Sequence, residues 1–195
     1  MRVSPWFIAG FLLLAQPVAA QDFSRFGLTP DDVKRLTEHS TMRAKALEEA
    51  KAHREQTEYL TLRTLMDEAT QPIADARELS GRWRCRVTKV GGTLLPVVRY
   101  DFFECRIEGR GNEAKYEKLT GSQRNTGTLR RLDGKIFVFR GTGYIAGDKP
   151  KPYGSGPKID EVGLLFRLDP DRLRLEIPTP AYESRYDVVE LVRRK

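Results

Sequence analysis

Apolar and polar residues alternate with a period of two through much of the second half of the chain. Residues 82–87 read Arg-Trp-Arg-Cys-Arg-Val, which would place three arginines on one face of a strand and the apolar side chains on the other. The same period occurs at 103–107 and 172–177, and less regularly at 186–192. This alternation predicts β-strands from about residue 79 to the end of the chain.

Turn-forming residues divide this region into short segments. Gly91-Gly92, Asp133-Gly134 and the Gly- and Pro-rich stretch 147–157 are typical of breaks between strands. About eight strands are predicted, near residues 81–90, 99–108, 114–121, 126–132, 135–145, 161–168, 172–177 and 184–193. Because no helical pattern separates them, they favour an antiparallel barrel or sandwich, and a closed barrel would leave no exposed edge. We therefore expect an antiparallel β-barrel domain over residues 79–195.

Residues 21–78 follow a different pattern. They are rich in Ala, Leu, Glu, Lys and Arg and contain one Gly and two Pro residues, a composition that favours helix. Thr29 can cap a helix that begins at Pro30. Apolar residues recur every three or four positions, with interruptions near 38–42 and 54–58. We expect a helical segment of two or three helices that pack one face on the rest of the protein.

The first residues, 1–20, have the pattern of a secretory signal peptide. Arg2 supplies a positive charge, residues 6–15 are apolar, and Val18-Ala19-Ala20 provides the small residues that precede a cleavage site. An apolar run of about ten residues is too short for a spanning helix, which needs about 20. We expect cleavage near Ala20, a periplasmic or secreted location, and no stable membrane insertion.

Export determines how the two cysteines are interpreted. Cys85 and Cys105 are the only cysteines in the chain, and in an oxidising compartment an even number predicts a disulfide. Closing this loop contributes about 3 kcal/mol in the chain-entropy model. Catalytic redox pairs are closely spaced, as in C-x-x-C, so this spacing indicates a structural bridge.

Charge is unevenly distributed between the two regions. The formal net charge is +7, but residues 22–78 carry 9 basic and 12 acidic residues, whereas residues 79–195 carry 24 and 15. The basic excess of the strand region has two interpretations, a solvated barrel exterior or a site for an anionic partner. Nucleic acid is not the expected partner, because the protein is exported and its arginines form no clustered tract.

Few residues are available for catalysis or metal binding. His39 and His53 are the only histidines, and in a continuous helix they would lie about 21 Å apart, too far to share a metal. We interpret both as exposed helical residues and expect no metal and no cofactor. Three carboxylate pairs could serve acid-base chemistry, although nearby basic residues suggest surface ion pairs instead: Asp101 with Glu104, Asp160 with Glu161, and Glu183 with Asp187.

Polar loop residues are the candidate ligand-binding groups. Loop 121–127 concentrates a guanidinium, carboxamides and hydroxyls, which suit a carboxylate, a phosphate or a sugar. Residues of two later loops could line the same opening, and the alternative is that all these groups only satisfy tight turns. The candidates are Gln123, Arg124, Asn125, Tyr144, Tyr153, Glu183 and Arg185. Large aromatic residues favour a packed barrel interior: Trp83, Phe103, Phe166 and either Phe137 or Phe139.

Gly81-Arg82-Trp83 resembles the Gly-x-Trp opening of lipocalin-like, or calycin, barrels. The resemblance implies an eight-stranded lipocalin-like barrel in which Trp83 closes one end and an Arg near or on the last strand, Arg185 or Arg193, packs on it. Several runs also resemble a family of secreted bacterial proteins described as domain of unknown function 4893. These runs are residues 81–86, 103–105, 119–124, 147–150, 153–154 and 180–184. This second resemblance implies export and a domain that spans nearly the whole mature chain, and it implies no activity.

Together these features predict a periplasmic binding or interaction protein rather than an enzyme. Its partner would be a small anionic or envelope-derived ligand or an envelope protein. Two alternatives remain open: an enzyme that uses carboxylates on an envelope polymer, and a barrel that inhibits proteases or lysozymes.

Overall fold

The structure, a computed structural model, describes residues 22–92 and 95–195. The predicted signal peptide, residues 1–20, lies outside the described residues. Within them, three α-helices precede the strands: α1 (Pro30–Thr37), α2 (His39–Ala50) and α3 (Thr57–Asp67). Nine strands follow: β1 (Gly81–Gly92), β2 (Val97–Arg99), β3 (Phe103–Arg110), β4 (Glu113–Lys118), β5 (Gln123–Arg131), β6 (Ile136–Ile145), β7 (Asp160–Asp169), β8 (Arg172–Pro178) and β9 (Ser184–Arg193).

The strands form a closed antiparallel barrel of eight strands, β1 and β3 to β9. Neighbours along the chain pair with one another, and β1 pairs with β9 to close the sheet. The predicted fold class, mainly β with an N-terminal helical segment, is confirmed. The predicted strand 99–108 is interrupted: Arg99 pairs with Thr88 and Phe103 with Cys85, so residues 100–102 separate β2 from β3 along the same edge of β1.

Inward-facing residues form the main apolar core. Trp83, Tyr116, Phe137 and Phe139 are fully buried among aliphatic side chains from the other strands. Phe103 packs at the margin of this core. The expectation that Phe166 fills the barrel is wrong, because its neighbour along β7 points inward and Phe166 therefore packs outside, in a separate cluster under α1.

A short 3-10 helix, Ala76–Leu79, closes one end of the barrel. Its apolar side chains Ala76 and Leu79 are fully buried in the barrel core. The Trp83 indole Nε1 donates a hydrogen bond to the Leu79 carbonyl at 3.0 Å. The guanidinium of Arg193 lies 4.2 Å from the Trp83 ring centroid and donates to the Ser80 carbonyl at 2.7 Å. Arg193, rather than Arg185, therefore packs on Trp83.

The disulfide joins the first two long strands of the barrel. Cys85 and Cys105 are bonded, with their Cα atoms 5.8 Å apart, and both are buried. Trp83 lies opposite Cys105 in the register of β1 and β3, so the bridge runs diagonally beside the Trp83 plug. The predicted disulfide is confirmed.

The helices cover part of the outer surface of the barrel. Apolar residues of α2 and α3 pack on Val90, Tyr186 and Val188 of β1 and β9. Leu36 of α1 packs on β6 and β7 with Phe26. Helix α1 begins as the sequence predicts, with the Thr29 hydroxyl accepting a hydrogen bond from the Asp32 backbone at 3.3 Å.

A buried charged cluster lies between these helices and the barrel. Glu176 of β8 is 1 % exposed, and its Oε1 lies 2.7 Å from the Arg174 Nε. Its Oε2 accepts a hydrogen bond from the Tyr186 hydroxyl and lies 3.4 Å from His39 Nε2 and 3.5 Å from Arg43 Nε. The expectation that His39 is exposed is therefore wrong. The ring lies under α2, where it also bonds the Tyr186 hydroxyl at 2.8 Å.

The cluster keeps Glu176 ionised. Burial alone would raise the pKa of this carboxyl, but the His39 hydrogen bond and the Arg174 charge outweigh it and lower the pKa to about 2. Because that value lies below the ordinary pKa of 4.5, Glu176 stabilises the fold above about pH 4.5 and loses this contribution as the pH falls toward 2.

Arg174 connects the cluster to the end of α3. Its Nη1 donates to the backbone carbonyls of Leu65 at 2.6 Å and Met66 at 3.1 Å. These carbonyls lie in the last turn of the helix, where backbone acceptors have no partner within the helix. One side chain therefore stabilises both the Glu176 charge and the C-terminus of α3.

Replacing Arg174 by Met should lower the free energy of unfolding by about 3–5 kcal/mol, because a buried carboxylate loses its closest cation. Urea denaturation at neutral pH measures the change. Arg63→Met is the matched control: Arg63 forms an exposed ion pair with Asp67 at 2.7 Å, and its loss should cost less than about 1 kcal/mol. Equal effects of the two substitutions would contradict a stabilising role for the cluster.

Candidate functional site

A polar cavity occupies the end of the barrel opposite Trp83. Its volume is about 150 Å³. We call it the mouth cavity; it is lined by Val87, Lys89, Tyr100, Phe103, Tyr116, Lys118, Ser122, Gln123, Arg124, Asn125, Glu161, Ile177, Glu183, Asp187 and Val189. One end of the barrel is therefore packed with apolar side chains, and the other end encloses a small cavity with polar and apolar walls.

The cavity exists because the inward-facing stripes change from apolar to charged toward one end. On β1 the inward positions run from Trp83 through Cys85 and Val87 to Lys89. On β4 they end at Lys118, on β7 at Glu161 and on β9 at Asp187, each two residues beyond a nonpolar or aromatic position. Successive inward positions are two residues apart in a strand, so these charges share the barrel interior.

Glycines on β6 leave the space that these groups occupy. A Cβ atom at Gly143 would lie 2.7 Å from the Glu161 Oε1. At Gly141 it would lie closer still to the Thr126 carbonyl oxygen, and 2.5 Å from the Phe139 ring of the apolar core. A side chain at either inward position would displace Glu161 or Phe139.

Lys118 and Lys89 are the two buried cations of the cavity, equally exposed to solvent. Lys118 is the one with the fewer partners. It is 7 % exposed, its Nζ donates to the Gln123 carbonyl at 2.7 Å, and it lies 4.1 Å from the Phe103 ring centroid. Burial lowers the pKa of this ammonium to about 8, although the negative charge of Glu161 opposes the shift. An ammonium has three donors, and a single acceptor, the Gln123 carbonyl, lies within hydrogen-bond distance of Nζ in the described part of the chain.

Two carboxylates lie in the same cavity. Glu161 accepts a hydrogen bond from Asn125 Nδ2 at 2.8 Å, and burial raises the pKa of Glu161 to about 7 despite this bond. Asp187 accepts from the Ser184 hydroxyl, and burial raises its pKa to about 6 against the opposing charge of Lys89. Both carboxyls therefore titrate near neutral pH.

The other charged residues that line the cavity are Lys89, Glu183 and Arg124. Lys89 Nζ is 3.0 Å from the Glu183 Oε2 and donates to the Tyr182 carbonyl at 3.4 Å. Arg124 Nε donates to the Gly121 carbonyl at 3.0 Å, and its other guanidinium N–H groups have no acceptor among the described residues. Cationic donors thus remain available around the opening.

Comparison with known families identifies the chain. The family described as Domain of unknown function (DUF4893) matches residues 25–191. The chain belongs to this DUF4893 family. A comparison with curated proteins gives no match. Among solved structures, a redesigned beta barrel is similar, with 14% sequence identity and a TM-score of 0.43 over 65% of this chain and 100% of the other.

The structure brings four of the predicted ligand-binding residues of this DUF4893 protein together. Gln123, Arg124, Asn125 and Glu183 all line the mouth cavity. They meet because the start of β5 and the loop that precedes β9 lie at the same end of the barrel, on opposite sides of its opening. The prediction that these loops share one opening therefore applies to this subset.

The other three candidates lie elsewhere. Tyr144 lines a separate groove with Lys149 and Tyr182. The Tyr153 hydroxyl donates to the Asp32 side chain and accepts from the Thr29 backbone at 3.1 Å, so it anchors α1 to the barrel. Arg185 forms an ion pair with Glu49 of α2 at 2.6 Å. Tyr144 lies on the outward face of β6, and contacts with the helical segment hold Tyr153 and Arg185 away from the cavity lining.

Sequence reasoning missed the two lysines of the cavity. Of its carboxylate pairs, Glu183 and Asp187 do line the cavity together, whereas Asp160 and Glu161 are separated. Asp160 and Glu161 point to opposite faces of β7: Asp160 accepts hydrogen bonds from the backbone of Gly154 and Gly156, whereas Glu161 faces the cavity. The period of two contained the missing information, because Lys89 and Lys118 extend inward-facing stripes of β1 and β4.

The described part of the chain offers neither a metal cluster nor a spanning helix. In residues 22–92 and 95–195, no group of three or more His, Cys, Asp or Glu side chains is arranged to hold a metal ion. No helix within those ranges is long and apolar enough to cross a membrane.

Glu161 should make stability depend on pH. Its folded pKa of about 7 lies above the ordinary value of 4.5, so the folded state binds the proton more tightly than the unfolded state does. The contribution of Glu161 to the free energy of unfolding therefore decreases as the pH rises from about 4.5 to about 7 and is constant above that range.

The Glu161→Gln variant should lack this dependence and be more stable than the wild type at about pH 8. Urea denaturation of both proteins at about pH 5 and about pH 8 measures the difference between their slopes, in which other titrating groups cancel. Glu113→Gln, at an outward and 59% exposed side chain of β4, is the control. If the Glu161→Gln substitution leaves the change in the free energy of unfolding with pH as it is in the wild type, burial does not destabilise the ionised Glu161 carboxylate.

Proposed function

We propose that this protein is an exported binding protein whose mouth cavity holds a small polar ligand that carries an anionic group. Export is supported by the signal pattern of residues 1–20 and is compatible with the Cys85–Cys105 disulfide. Binding is supported above all by Lys118, a buried cation that faces a cavity with most of its donors unused.

The cavity has the dimensions of a small-molecule site. A volume of about 150 Å³ equals that of an engineered protein cavity that holds benzene, so it accommodates a ligand of roughly six to ten heavy atoms. Its walls combine aromatic surfaces, such as Phe103 and Tyr116, with a few polar groups, as is typical of ligand pockets. The anionic group would contact Lys118 and the free guanidinium donors of Arg124.

Isothermal titration calorimetry of the folded protein with small carboxylates, phosphate esters and sugar acids tests this proposal. Lys118→Met should weaken the binding of any such ligand by about 10- to 100-fold, because a hydrogen bond to a charged group contributes about 1.5–3 kcal/mol.

Lys115→Met is the matched control, since Lys115 lies on the same strand with an outward, 57% exposed side chain paired with Glu117. Its affinity should equal that of the wild type. If both substitutions weaken binding equally, the effect comes from the net charge of the protein and not from a contact with Lys118. If no ligand of the panel binds, the proposal is wrong.

A second candidate function is acid-base catalysis in the same cavity. The pKa values of Glu161, about 7, and of Lys118, about 8, are shifted toward neutrality, a property that clusters at catalytic sites. In that case Glu161→Gln would abolish turnover of an envelope polymer while the protein stayed folded. A binding protein would show no turnover in either form.

A further inference from the structure

Lys118 lies on the other side of the barrel from Glu161 and Asp187, whereas the second cavity lysine, Lys89, is the cross-strand partner of Asp187. Around the closed sheet, β4 is three strands away from both β7 and β9, because β1 pairs with β9. Lys118 on β4 therefore faces Glu161 on β7 and Asp187 on β9 across the cavity. Between Lys118 and Glu161 lie Asn125 on β5 and the side-chain-free positions of β6.

These opposite charges are not joined to each other. Within the described residues, no ion pair of 4.0 Å or less links Lys118 to Glu161 or to Asp187. Lys118 donates to a backbone carbonyl, Glu161 accepts from Asn125, and Asp187 accepts from Ser184. Separated charges at low dielectric are costly unless something between them carries complementary charge. The cavity lies between them.

One further polar atom is available for a ligand. The Asn125 Oδ1 is buried and has no hydrogen-bond partner, although the Nδ2 of the same side chain is bonded to Glu161. A buried acceptor without a donor costs free energy comparable to a lost hydrogen bond. It adds a third acceptor beside the carboxylates, so this side of the cavity suits a group with several N–H donors.

Resting on the proposed function, we propose that the mouth cavity binds a compact zwitterion of amino-acid size, with its anionic group at Lys118 and its ammonium at Glu161, Asp187 and Asn125 Oδ1. The cavity has three basic residues, Lys89, Lys118 and Arg124, and three acidic ones, Glu161, Glu183 and Asp187. A neutral ligand with separated charges matches this balance, whereas a simple anion would satisfy Lys118 and leave Glu161, which forms no ion pair among the described residues, without a cation.

Matched probes test the charge requirement. Glycine, β-alanine, γ-aminobutyrate and 5-aminovalerate place the two charges at increasing separations. Each is compared by calorimetry with the carboxylic acid that lacks the amine and with the amine that lacks the carboxylate, at neutral pH. At least one zwitterion should bind at least about 10-fold more tightly than both of its matched single-charge analogues, because only the zwitterion satisfies both sides of the cavity.

Two variants separate the two ends of the site. Lys118→Met should weaken the zwitterion and its matched acid alike, whereas Glu161→Gln should weaken the zwitterion about 10-fold and leave the acid unchanged or more tightly bound. The outward variants Lys115→Met and Glu113→Gln should change neither affinity. Thermal unfolding of every variant, with loss of its cooperative transition as the criterion, identifies any that fail to fold. If Lys118→Met fails to fold, the affinities of the Glu161→Gln protein provide the second test.

The outcomes distinguish this inference from the proposed function. If the acids bind as tightly as the zwitterions and their binding depends on Lys118, the proposal of a zwitterionic ligand is wrong, but a binding site for an anionic group remains. If none of the matched probes binds, the proposal of a zwitterionic ligand is also wrong. If, in addition, the folded protein binds nothing in the broader anion panel, the proposed function fails with it.

Discussion

The backbone pairing of β1 with β9, from Trp83 opposite Arg193 to Gly92 opposite Ser184, determines which side of every strand is inside. Without it the sheet would have two exposed edges, and each inward stripe would lack the opposite wall. Closure buries the aromatic side chains against one another and brings Arg193 over Trp83, where the 3-10 helix Ala76–Leu79 seals the end. It also places the charged ends of several stripes around one small volume.

The outer surface of the barrel requires a second layer because it is not uniformly polar. Tyr186 and Val188 on β9 and Val138 on β6 face outward and are covered by the helices and the segment before them. The same cover buries Arg174 and Glu176, which remain charged because each finds several partners there. The acidic helical segment and the basic barrel therefore interact by specific buried contacts as well as by their opposite net charges.

How much of the site was predictable depends on where each residue lies. Arg124 and Glu183 were found because their chemistry stands out in segments predicted to be loops, although Arg124 lies at the start of β5. Lys118 was missed because, in sequence, a lysine at the end of a strand is typical of solvent exposure. Its position two residues after the buried Tyr116 places it on the inward face of β4. Conversely, Tyr153 and Arg185 have suitable chemistry but pair with Asp32 and Glu49, two partners far away in sequence.

The sequence by itself determined the elements: the helical segment, strand positions within a few residues, the antiparallel β architecture, the disulfide pair, and Trp83 as a candidate plug. These follow from local periodicity and from residue types whose geometry acts over short distances. Only the tertiary structure decided that one end of the barrel encloses a polar cavity, that His39 is buried, and that Lys118 faces Glu161 and Asp187. Such relations depend on closure and register, which join residues far apart in the chain and which no local pattern specifies.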